Sequence, residues 1–97
     1  MSKHSESIIS NEKQCYKCGI MGDLHRHHVF GGIANRRLSE MDGLWIWLCP
    51  DHHTMTDNSV HRNRSMDLAF KKEAQMKWEE KYGSREDFIK RYGKSYL

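Results

Sequence analysis

The sequence predicts an α+β fold: two short strands and a helix around metal ligands, a CxxC…CxxH zinc site, and C-terminal helices. Three observations carry this reading. Cys15-x2-Cys18 and Cys49-x2-His52 form two chelating pairs thirty residues apart. Six of the seven histidines, from His25 to His61, crowd into 37 residues. An apolar repeat of period four then runs from Met66 to Tyr82.

Ninety-seven residues, 37% apolar and 30% charged, suffice for one small domain with a thin core, and such chains often need a metal or disulfides. Three cysteines cannot pair completely, which argues against a disulfide framework and for a thiol-bound metal in a reducing, cytoplasmic setting. The start, "MSKHSESIISNEKQ", lacks the apolar core of a signal peptide. The longest apolar run, "LWIWLC", is too short to span a bilayer, so no membrane partner is expected. A net charge of +3 is compatible with a polyanionic partner without requiring one.

Residues 1–12 carry few apolar side chains and are expected to form a flexible N-terminal arm, leaving 13–97 as a single domain. "CYKCG" at 15–19 reads as a tight knuckle whose glycine permits the turn. "LHRHHVF" at 24–30 reads as a strand ending in β-branched and aromatic residues. "GGIANRRLSEMDG" at 31–43 reads as a loop with glycines at both ends. "LWIWLC" at 44–49 reads as a second, buried strand. Its Trp45 and Trp47 share one face and are expected to be core against the C-terminal helix rather than base-stacking platforms. Pro50 suits the first turn of a helix, and Asp51 its positive end.

The helical part covers about 63–97. Met66, Phe70, Ala74, Trp78 and Tyr82 form one stripe, Asn63 or Ser65 caps its start, and Gly83 is expected as a left-handed C-cap. A last helix begins at Ser84, paired with Asp87 as a capping box, buries Phe88, Ile89 and Tyr92, and closes at Gly93. The opposite face of the long helix, with Lys71, Lys72, Lys77 and Lys81, is read as solvated.

Zinc prefers a tetrahedral set of thiolates and imidazoles, with Zn–S near about 2.3 Å, and two x2-spaced pairs supply that without straining the backbone. Cys15, Cys18, Cys49 and His52 are therefore expected to hold a structural Zn²⁺. His53, His27, His28 and His61 remain for other work, while His25 and His4 are read as ordinary polar residues.

"LHRHHVF…GLWIWLCPDHH", framed by the CxxC knuckle, resembles the HNH (ββα-metal, His-Me finger) endonuclease family over residues 15 to 63. The resemblance implies a ββα-metal core over about 24–63 around one divalent cation. It implies His27 as the first-strand metal ligand, His28 as the general base, and His53 as the ligand on the helix after the second strand. A third ligand falls on His61, which the polar "TMTDNS" stretch can bring round, or on Asp57 as the alternative. The family's central Asn, which steadies the base, is missing; Asp42 and Asn35 are the residues at hand. Histidine-rich ligation suits Mn²⁺, Ni²⁺, Co²⁺ or Zn²⁺ as readily as Mg²⁺. Successive strand residues point to opposite faces, so His27 and His28 can serve one phosphate only at a twisted strand end.

An imidazole with a pKa of about 6.5 can take a proton from water at neutral pH, and one cation can neutralise charge on a phosphate. Arg36 and Arg37, with Lys17 and Arg26, are the expected phosphate contacts, and nothing in the chain reads bases. The expectation is thus a metal-dependent DNA endonuclease of low sequence specificity. The alternative is a non-catalytic zinc-dependent nucleic-acid-binding module or adaptor. Compact nucleases of this kind resemble those of bacteriophages, which implies phage or host replication, recombination or packaging proteins as partners, while action as a monomer or as a homodimer stays open.

Overall fold

A computed structural model describes residues 6–57 and 59–97. The first five residues of the expected arm, His4 among them, lie outside the described residues. Two strands, β1 (His25–His28) and β2 (Trp45–Leu48), form an antiparallel sheet. The helices are α1 (Ile33–Asp42), α2 (Arg64–Lys81) and α3 (Arg85–Tyr92), and a short π-helical turn spans Asp51–Met55. Among the described residues no helix is long and apolar enough to cross a membrane.

Register decides what each face of the sheet does. His25 pairs with Leu48 and His27 with Ile46, whereas Arg26 pairs with Trp47 and His28 with Trp45. Directly opposed residues share a face. The His25/His27 face therefore carries Ile46 and Leu48, both buried in a core with Phe70, Trp78, Phe88 and Tyr92. Trp45 and Trp47 lie on the other face, which corrects the expectation that they pack on the C-terminal helices. Their rings meet edge to face at 5.2 Å, and the Arg26 guanidinium lies 3.8 Å from the Trp45 centroid. The N-terminal segment covers this side: Ser7 donates to the Trp45 carbonyl at 2.6 Å.

The stretch expected to be a loop at 31–43 is mostly helix. Ala34, Arg36, Arg37, Leu38, Glu40 and Met41 are good helix formers, and the flanking glycines act as punctuation rather than as loop. Gly43 takes the left-handed conformation that ends α1, at φ 77°. A side chain there would also strike the Glu6 carbonyl. Ser39 fastens α1 to the end of β1 by bonding both the N–H and the carbonyl of Phe30.

Asp42, the last residue of α1, joins the helices. Its carboxylate accepts from Trp78 Nε1, from the Tyr92 hydroxyl and from two nitrogens of Arg91, at 2.6–2.8 Å. Asn63 caps α2 through the Met66 N–H. Within the predicted stripe Phe70, Ala74 and Trp78 are buried, but Tyr82 is exposed and ends the helix in right-handed conformation. Gly83 is not left-handed, contrary to expectation; it is small because Asp87 presses on it, with Oδ2 2.8 Å from where a Cβ would lie. That aspartate completes the Ser84 capping box of α3, and Gly93 closes the helix at φ 101°. Phe88 and Tyr92 are buried as expected, whereas Ile89 is exposed.

Candidate metal centres

The knuckle turns at Gly19, whose φ of 81° lets its N–H reach the Cys15 carbonyl at 2.8 Å. Tyr16 N–H donates to the Trp47 carbonyl, so the knuckle is fixed against β2. Cys49 leaves β2 directly, and the following turn brings His52 back beside it. Cys18 Sγ lies 3.8 Å from Cys49 Sγ, and His52 Nδ1 lies 3.3 Å from Cys49 Sγ and 3.7 Å from Cys15 Sγ. A tetrahedron with Zn–S of about 2.3 Å places sulfurs about 3.8 Å apart, far beyond a disulfide of about 2.05 Å. Burial opposes ionisation of Cys15, but the backbone N–H groups of Cys49, Cys18 and Lys17 outweigh it and bring the thiol down to about 6. Burial pushes the Cys49 thiol up. Three sulfurs this close cannot all be anionic without a cation among them, so donor chemistry and spacing both suit a metal such as zinc.

The second group contains His27, His53 and His61, whose donor atoms all lie within 4.8 Å of one another. Each comes from a different element. His27 projects from the core face of β1, and His53 follows His52 in the π-helical turn. His61 arrives because the chain folds back: Val60 N–H donates to the His52 carbonyl at 2.7 Å, and His61 N–H to that of His53 at 3.4 Å. The polar stretch thus brings His61 round, whereas Asp57 is exposed and is not among the clustered donors.

His53 Nε2 lies 3.1 Å from His61 Nε2. Metal–nitrogen bonds of about 2.0–2.1 Å put neighbouring donors about 2.9 to 3.4 Å apart in octahedral or tetrahedral geometry. His27 Nε2 is buried and has no hydrogen-bond partner. A polar atom left so is costly unless something binds it, and a cation facing the other two imidazoles would. Burial first, then the neighbouring rings of His53, His61 and His28 and the Lys71 charge, depress His27 to about 3. Burial, with His61 and His25, lowers His53 to about 4. Both rings are neutral at pH 7, the form that binds metals.

His28 points to the opposite side of β1, as strand geometry demands. It nevertheless ends the strand and lines a cavity of about 300 Å³ together with His27, His53, His61 and Arg36. A neighbouring hollow of about 380 Å³ is lined by His27, His28 and His61 with Arg62, Arg64 and the Lys71–Asp67 pair. Arg37 lies beside Arg36 and His28 in a shallower depression. A larger hollow, about 860 Å³, separates residues 6–11 from α2 and touches none of the clustered cysteines or histidines, so size does not mark the chemistry here.

Several sequence expectations are redistributed. Asp42 is consumed by Trp78, Tyr92 and Arg91, and Asn35 donates to the Tyr92 carbonyl at 3.0 Å, so neither is bonded to His28. Glu40 is bonded to it instead, Oε1 to Nε2 at 2.6 Å. Arg26 donates to the other Glu40 oxygen at 2.6 Å rather than lying open for phosphate. His25, read as ordinary, faces His53 with 3.0 Å between their Nδ1 atoms. Its spacing of two from His27 signalled a shared face. No family model matches the chain, and neither a curated protein nor a solved structure does.

Proposed function

We propose that the chain is a small metal-dependent DNA endonuclease of the HNH, ββα-metal type, its fold held by a structural zinc on Cys15, Cys18, Cys49 and His52. The observation that carries the reading is the unpartnered, buried Nε2 of His27 facing His53 and His61, in a cavity that also admits His28. A divalent cation held by those three imidazoles would neutralise the scissile phosphate and the leaving oxygen. His28 accepts the proton of a water whose oxygen attacks phosphorus, and the bond to the leaving oxygen breaks as that oxygen takes up a proton. Arg36 at the rim, with Arg62 and Arg64 in the adjoining hollow, binds flanking phosphates without reading bases.

The test is nicking of supercoiled plasmid by zinc-loaded protein with Mn²⁺ or Mg²⁺. His28→Ala is expected to lose roughly 10²- to 10⁴-fold, the worth of a positioned base. Equal nicking by both proteins overturns the reading. One observation favours a second reading, a zinc-dependent nucleic-acid-binding module without catalysis. Both residues at hand for the family's central Asn are engaged elsewhere, Asp42 with Trp78, Tyr92 and Arg91 and Asn35 with the Tyr92 carbonyl. Salt-dependent duplex binding with no cleavage under any divalent cation supports that alternative.

A further inference from the structure

The geometry points to Glu40 as the positioning residue of His28, an inference that rests on the proposed role of His28 as base. Three observations meet at this carboxylate. Its Oε1 accepts from His28 Nε2 at 2.6 Å, and its Oε2 accepts from Arg26 Nη1 at 2.6 Å. Both partners are largely shielded from water, with the Glu40 and His28 side chains 16% and 13% exposed. Arg26 is itself pinned over the Trp45 ring at 3.8 Å. A chain of contacts thus runs from Trp45 through Arg26 and Glu40 to His28, and every member is held by the next.

The bond fixes more than the ring's direction. A carboxylate can only accept, so the imidazole nitrogen facing it must carry a proton. His28 is therefore held as the Nε2–H tautomer, which leaves the lone pair on Nδ1. A base needs one nitrogen stripped of its proton and correctly turned, and the acidic partner secures both, as an orienting group does for any histidine base. The helix supplies the alignment. Ile33, Arg36, Arg37 and Glu40 recur at three- and four-residue spacing on one face of α1 and line the depression beside His28. The same helix face thus steadies the base and carries the two arginines expected on phosphate. Glu40 acts in place of the missing amide, from the last turn of α1 just before β2.

A merely structural ion pair with Arg26 predicts different behaviour, and a double-variant cycle separates the two. In zinc- and Mn²⁺-loaded protein, Glu40→Ala is expected to lower kcat for plasmid nicking roughly 10- to 100-fold, a part of what the base contributes. KM should stay within about twofold, because no phosphate contact is removed. Glu40→Gln should recover much of the rate, since its carbonyl still accepts from Nε2–H. In a His28→Ala background, Glu40→Ala should cost nothing further. Losses that multiply, or full kcat in Glu40→Ala when His28→Ala is dead, overturn the inference while leaving the nuclease reading intact. If His28→Ala is as active as wild type, the function reading fails instead. The tautomer is readable without activity: long-range proton–nitrogen NMR at neutral pH should show wild-type His28 protonated at Nε2. That preference should be lost in Glu40→Ala. Protonation at Nδ1 in the wild type overturns the inference even where Glu40→Ala does not fold.

Discussion

His25 and His53 face each other Nδ1 to Nδ1 at 3.0 Å, across the gap between β1 and the π-helical turn. One nitrogen must donate and the other accept. If His53 donates, its Nε2 keeps the lone pair on the side of His61 and His27, which is the arrangement a metal requires. His25→Ala is then expected to weaken binding of the second ion by about 10- to 100-fold, the usual cost of losing such an outer partner. Titration of zinc-loaded protein with Mn²⁺ or Co²⁺ measures it. An unchanged affinity would leave His25 without this role.

The two donor groups differ in burial and in hardness, which separates their responses to metal removal. Thiolates hold zinc tightly, and Cys15 and Cys49 are buried. The histidine group is reached through an open cavity and includes the exposed His61. Mild chelation should therefore strip the second ion, abolish nicking and leave the melting temperature almost unchanged. Cys49→Ser should lower it by at least about 10 °C, since a loss of roughly 2 kcal/mol shifts a domain this small by that much. Elemental analysis beside thermal melts checks both. Equal melting of Cys49→Ser and wild type would remove the structural role of the tetrad.

Local chemistry made much of this architecture legible, and long-range pairing hid the rest. The ligand spacings marked the tetrad, and Asn63, the Ser84–Asp87 box and Gly93 marked helix ends, because each involves neighbours in the chain. Helix α1 is hard to read because it is short and polar, and Gly32 and Gly43 resemble loop signals until seen as boundaries. The side on which Trp45 and Trp47 pack is not legible in the sequence because β2 has apolar residues on both faces. Pairing with β1 breaks that symmetry. Glu40 lies twelve residues from His28, and only the turn of α1 against the strand end brings them together.

Asp42 is one of two residues at hand for the asparagine that the proposed resemblance calls for, and Asp42→Asn tests whether that position touches the chemistry at all. The carboxylate accepts from Trp78, Tyr92 and Arg91, whereas an amide offers one oxygen and a nitrogen that would meet donors. The substitution is expected to cost roughly 2–4 kcal/mol, below the loss at a fully buried ion pair because Arg91 is a third exposed. Nicking per folded molecule should not rise. Denaturant melts and specific activity check the two halves. A gain in rate would mean that this position communicates with His28 after all.

Alkaline pH should unfold the protein through its tyrosines. Burial, then the Asp42 hydrogen bond and charge, raises the Tyr92 phenol far above its ordinary 10.0. Burial, then Glu73, which accepts from its hydroxyl, raises Tyr16 to about 12. Burial and the Asp42 charge raise Tyr82 as well. A phenol whose folded pKa lies above its unfolded value binds its proton more tightly in the native state. Its contribution is fully present below pH 10 and is lost as pH rises toward the folded value. Melting temperature is therefore expected to hold up to about pH 10 and then fall steeply toward pH 12. Phenolate absorbance should lag behind that of free tyrosine until the fold gives way. In Tyr92→Phe the fall should be shallower, since one linked proton is gone, although neutral-pH stability drops with the lost bond to Asp42. A wild-type melting curve that is flat from pH 10 to 12 would show that these phenols ionise as readily folded as unfolded.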